Sequence, residues 1–215
     1  NMVKISFFII SVLSLLLFYY ATGKSKKLLM TFIIWQCVIG SVAIAGLFEK
    51  TLILFPLTIV ATILVTIFSL QKMNWQQVNP TLLLSVHVLR IPVELLLFQL
   101  FLQHKIPQLM TFSGWNFDIL IGISALILLL LMTQLKVKLN KQLLIGWNII
   151  GILFLLFILS ISVLSSPLPI QQFAFDQPNI AILEFPYCFL ATCIVPLVFS
   201  AHIIMIKQLN KQKEI

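Results

Sequence analysis

Hydrophobic residues arrive in long runs along this chain, and polar residues are confined to the short gaps between them. The runs cover residues 5–22, 28–48, 51–70, 81–103, 118–135, 142–165 and 185–206. A helix rises about 1.5 Å per residue, so about 20 apolar residues carry it across roughly 30 Å of bilayer hydrocarbon. Each run comes close to that length, and the pattern predicts an all-α, polytopic membrane bundle of seven transmembrane helices. The gaps leave no room for a separate soluble domain, so residues 1–215 are expected to form a single transmembrane bundle. Transmembrane β-barrels are excluded, because their strands alternate apolar and polar residues.

Composition supports the pattern. Hydrophobic residues make up 60% and charged residues 9% of the chain, against about 25% charged in soluble proteins. The mean hydropathy is +1.11. A formal net charge of +8 would suit a nucleic-acid partner, but the lysines lie in short loops without interleaved aromatics, so none is expected. They serve orientation instead. Lys24, Lys26, Lys27, Lys72, Lys136, Lys138, Lys141, Lys207, Lys211 and Lys213 fall on one side of the bundle, and only Lys4, Lys50 and Lys105 on the other. The positive-inside rule then puts the N-terminus outside and the C-terminus in the cytoplasm, in a multi-pass protein of the cytoplasmic (inner) membrane. Glu49, Asp118, Asp176 and Glu184 segregate to the outer side. A cleaved signal peptide at residues 5–22 fits poorly, because the stronger basic cluster follows the apolar run and Tyr20-Ala21-Thr22-Gly23 is a weak cleavage site. Asn1 ahead of Met2 looks like a remnant of an expression tag.

Against this apolar background the fourth run stands apart, because it carries His87, Arg90 and Glu94 at membrane depth. A charge at the bilayer centre costs about 2.5–3.5 kcal/mol even on lenient insertion scales, so such residues mark a ligand- or proton-binding site by default. At about 100° per residue the three fall within a sector of about 60° on one helix face. Arg90 and Glu94 stand four apart and are placed to pair. Pro92 has no N–H, so the Val88 carbonyl loses its helical partner and the span is expected to kink. A structural Arg–Glu lock between helices is the alternative use of these residues. Gln36, Asn148 and His202 lie at depths comparable to His87, with Trp35 and Trp147 near them, while Gln99, Asp118 and Glu184 are candidates to line an outer entrance leading to Glu94.

Other chemistries find less support. His87 and His202 are the candidate pair for a haem or metal, yet there are only three histidines and no pair four residues apart, so no cofactor is expected. Cys37, Cys188 and Cys193 show neither redox nor zinc spacing and read as packing residues. No GxSxG, HExxH or paired-Asp motif marks an enzyme. In the outer loop preceding residue 118, Trp115 and Phe117 fit an interfacial aromatic belt, with Asn116 or Asp118 as a helix cap. The longer loop carrying Phe173, Phe175 and Asp176 is a candidate cover for the outer mouth.

The stretch from Arg90-Ile-Pro-Val-Glu94 to Phe117-Asp118 resembles one found in uncharacterised multi-spanning bacterial membrane proteins. The resemblance implies a bacterial membrane protein and carries no activity. Taken together, the residues predict a buried polar cavity around the fourth span that binds or moves a small solute or protons. The lipid bilayer and a small-molecule ligand are the expected partners. The rivals are a membrane-embedded enzyme acting on a lipid or isoprenoid, and a non-catalytic assembly or sensor subunit. No internal repeat of the kind many carriers show is evident.

Overall fold

In the computed structural model the described residues are 2–71, 73 and 77–211, so Asn1, Lys72 and Lys213 lie outside them. Helix α1 (Met2–Ala21) leads to α2 (Lys26–Ile44), a single turn α3 (Leu47–Lys50) and α4 (Leu54–Gln71). Next come α5 (Pro80–Val88) and α6 (Arg90–Leu102), then α7 (Asp118–Thr133), α8 (Lys141–Leu164) and α9 (Val195–Lys211), the last entered through a π turn at Leu190–Ile194. The starts are set by local chemistry. Ser25 accepts from the Leu28 N–H, Asn140 from the Gln142 N–H, and Asn79 from the N–H groups of Thr81 and Leu82, with Pro80 in the first turn. Each such oxygen satisfies an N–H that has no partner inside its helix.

Among the described residues, six helices are long and apolar enough to cross a membrane: Met2–Ala21, Lys26–Ile44, Leu54–Gln71, Pro80–Leu102 taken through its break, Lys141–Leu164 and Leu190–Lys211. The fifth run forms the shorter helix α7, whose 16 residues extend about 24 Å. The last long helix begins at Leu190 rather than at residue 185, because Pro186 cannot donate a helical hydrogen bond and biases Phe185 away from the helical region. The chain is thus an all-α, multi-pass membrane protein.

The fourth run is central. α5 packs on α1, α7 and α9, and α6 packs on α1 and α7, while α8 lies against α9. Large apolar side chains such as Ile33, Ile63, Leu126 and Leu153 point outward, as expected for surfaces facing acyl chains rather than water. Cys188 and Cys193 are buried and free, but Cys37 is exposed, since neighbouring Gln36 turns inward and rotates the next residue out.

Both ends of the bundle are tied by polar contacts. At one end the Asn79 N–H donates to the Ala21 carbonyl at 2.8 Å. At the other, the N–H groups of Ile180 and Ala181 both reach the Lys105 carbonyl at 3.1 Å, and Gln177 Nε2 donates to the Ile106 carbonyl at 2.6 Å. Lys105 also pairs with Glu184. The loop between α8 and α9 is therefore fastened to the end of α6, with Phe173 against Trp115 while Phe175 stays exposed.

Candidate functional site

The break between α5 and α6 organises the buried polar groups. Leu89 makes only a 3₁₀-type bond to the Val86 carbonyl at 3.3 Å, and regular bonding resumes with Val93 to Leu89 at 3.2 Å. The interruption falls where Pro92 denies the Val88 carbonyl its partner, which bears out the expected irregularity. His87 lies on one side of the break and Arg90 and Glu94 on the other, with exposures of 0%, 4% and 2%.

Arg90 is held between two helices. Its Nη1 donates to Asp118 Oδ1 at 3.4 Å, at the start of α7, and its Nη2 lies 3.3 Å from His202 Nε2 on α9. A guanidinium only donates, so Nε2 is the acceptor and the proton of this imidazole sits on Nδ1. Nδ1 is 2.8 Å from Asn148 Oδ1, which receives it, and Asn148 Nδ2 donates onward to the Leu144 carbonyl at 2.8 Å. Every member of the line from Asp118 to Leu144 thus has a role compatible with its neighbours. His202 is the neutral tautomer.

Glu94 sits apart from this line. Asn116 Nδ2 lies 2.8 Å from each of its carboxylate oxygens and also donates to the Met110 carbonyl at 3.1 Å. Asn116 Oδ1 accepts from the Asp118 N–H at 3.1 Å. One amide side chain therefore joins Glu94 to the start of α7 and fixes the loop that precedes it.

His87 stacks on His202 at 3.9 Å between ring centroids with a 32° tilt, and meets Trp147 edge-on at 5.3 Å. Both of its ring nitrogens are buried without a hydrogen-bond partner, as is Arg90 Nε. An unmet buried group costs about 1–3 kcal/mol. Axial haem ligands must face each other across the macrocycle, and two stacked rings do not present that geometry. Among the described residues no group of three His, Cys, Asp or Glu side chains is arranged to hold a metal ion.

Two glycines allow the close approach. A Cβ on Gly151 would lie 2.3 Å from His202 Cε1, and one on Gly122 would lie 2.9 Å from Ile91 Cγ1 and 3.2 Å from Arg90 Cβ. Beside Arg90, Glu94, Asn116 and Asp118 lies a cavity of about 60 Å³, otherwise walled by side chains such as Leu155, Ile158 and Ile182. It has room for a few waters or a small polar group.

Several expectations are corrected. Arg90 and Glu94 do not pair with each other, because Asp118 and His202 take the guanidinium and Asn116 takes the carboxylate. Gln36 is buried but bonds Thr192, donating to its carbonyl at 2.7 Å and accepting from its hydroxyl at 3.0 Å. It cannot join His87, since α2 packs on α1, α4 and the π turn rather than on α5. Trp35 likewise goes to Thr62. Gln99 is exposed, being about 140° around the helix from Glu94. Glu184 is engaged by Lys105 and does not line the cavity. His87, Asn148, His202 and Trp147 do come together, and Asp118 joins them through Arg90. Asn116 as the partner of Glu94 was not foreseen, and neither were the two glycines.

Comparison with curated proteins and with solved structures finds no match. A family model matches residues 47–210, a stretch that runs from α3 to the end of α9 and contains every residue of the buried polar cluster. The chain therefore belongs to the family described as a domain of unknown function, DUF8737.

Proposed function

We propose that this protein binds a small polar solute in the cavity beside Glu94, with that carboxyl group exchanging a proton as the solute enters or leaves. The observation that carries the reading is an imbalance of charge. Arg90 is ion-paired with Asp118, whereas Glu94 is hydrogen-bonded by one neutral amide and forms no ion pair among the described residues. In a low-dielectric interior a second carboxylate without a counter-charge is costly, and a proton or a donor-rich solute relieves it. Glu94 is then the responsive group. Arg90, Asp118, His202 and Asn148 form the frame that keeps it in place, with His87 stacked behind His202 and its ring nitrogens buried and unpartnered.

The same reading assigns seven crossings, with α7 completed at its outer end by the segment carrying the exposed aromatics Trp115 and Phe117. The N-terminus is outside and the cavity lies in the outer half of a bacterial inner-membrane protein. The lysine distribution supports this orientation.

A thermal-shift screen of the protein in nanodiscs, against small polyols, amines and amino acids at several pH values, tests the proposal. At least one solute is expected to raise the melting temperature, as mass action requires of a ligand that binds only the folded state. The Glu94→Gln variant is expected to fold and to lose both the response and its pH dependence. A panel in which no solute shifts the wild type, or in which Glu94→Gln responds equally, would sink the reading.

A further inference from the structure

We infer that the solute is the head of a single-chain lipid alcohol whose tail lies in a lateral groove continuous with the cavity. The inference rests on the solute-binding reading of Glu94. The groove, about 470 Å³, runs between α4, α8 and α9. Its walls are apolar, and its rim residues Ile63, Ile67, Leu156 and Val163 are exposed on the outer surface of the bundle, so it opens sideways to the bilayer. Leu159, Ser162, Ile182, Ala191 and Val195 line both the groove and the polar cavity. Two of these five, Ser162 and Ala191, are small, and Ala191 sits in the π turn that opens the helix at this point. Along α4 the groove reaches from Phe55 to Leu70, about 22 Å of helix, which is the length of an extended lipid chain rather than of a compact solute. A bare apolar groove would accept a neighbouring helix equally well. The polar cavity at its inner end is what selects an amphiphile.

The head chemistry follows from the charges. Glu94 offers acceptor oxygens, and Arg90 and Asn116 offer N–H donors. A phosphate or carboxylate head would bring negative charge against Glu94 and Asp118 with one guanidinium to answer three anions. Like charges at such close range repel strongly in a low-dielectric interior. A hydroxyl carries no charge, donates to a carboxylate and accepts from an N–H.

The test uses the full-length protein in nanodiscs, with binding followed by thermal shift and native mass spectrometry. The probes are hexadecanol, palmitic acid, hexadecyl phosphate and the short diol 1,2-propanediol. Hexadecanol is expected to bind at least about tenfold tighter than the acid, the phosphate or the diol. Ile63→Trp, which narrows the groove at a residue that does not line the polar cavity, is expected to lose about tenfold for hexadecanol while leaving the diol unchanged. If Ile63→Trp does not fold, the milder Ile63→Phe reads the same difference. If the diol binds and hexadecanol gains nothing from its chain, the lipid assignment falls and the solute reading stands. If neither binds, both fall. A chain effect that survives Ile63→Trp and Ile63→Phe, or a groove found covered by a second copy on crosslinking through Ile63→Cys, also overturns the assignment.

Discussion

Gly151 decides how close α8 comes to His202. A methyl group there would stand 2.3 Å from the imidazole, so Gly151→Ala must push His202 off Asn148 and Arg90. Overpacking of this kind costs about 1–3 kcal/mol, while alanine's better helix propensity returns less than about 1 kcal/mol. Gly146→Ala on the same helix meets nothing within 4 Å and serves as the control. The expected outcome is a melting temperature lowered for Gly151→Ala and unchanged or raised for Gly146→Ala; equal values would remove the packing argument. At this scale the sequence revealed the groups hydrocarbon resists, His87, Arg90 and Glu94, but not their partners. Asn116 looked like a helix cap because its spacing to Asp118 fits one, and its side chain does accept from the Asp118 N–H. That its amide also spans to Glu94 depends on how the loop folds back, which no local pattern encodes. Nothing in the local sequence singles out Gly151 and Gly122, since the side chain each makes room for lies far away along the chain.

The interruption at Leu89 does at the level of the helix what the glycines do for single side chains. Because Pro92 leaves the Val88 carbonyl free, α5 and α6 need not share one straight axis, and His87 can face α8 and α9 while Glu94 faces the loop before α7. Pro92→Ala restores the missing hydrogen bond and removes a helix breaker worth about 3 kcal/mol in an ordinary helix. It is expected to keep or raise the melting temperature yet weaken the solute response of the wild type. Retention of the full response would show that the break is incidental. Pro92 is visible in the sequence, and so was this break. The ends of the fifth and seventh runs were less legible: hydrophobicity continues beyond Thr133 and through Phe185, while the helices themselves follow backbone hydrogen bonding and start or stop elsewhere.

For the molecule as a whole, the proposed orientation makes a direct prediction. Asp176 and Lys138 are both exposed and lie at opposite ends of the bundle. In a background with the exposed Cys37 replaced by Ser, an impermeant thiol reagent applied to intact cells is expected to label Asp176→Cys and to spare Lys138→Cys until the membrane is opened. The reverse pattern would invert the topology. The all-α class and six of the seven expected spans were legible from run length, because hydrocarbon thickness imposes both. Which helix touches which was not, since apolar faces of α2, α4 and α8 offer nearly interchangeable surfaces.

One helix is poorly held. Only Phe55, Thr62 and Thr66 of α4 are buried, and the rest of its length borders the lateral groove or faces outward. A stave attached at so few points takes part of its support from whatever leans against it. The surrounding amphiphile is then a structural component of the barrel it wraps, and samples extracted into differing detergents become differing proteins in the only respect that matters at that seam: how firmly the stave is seated.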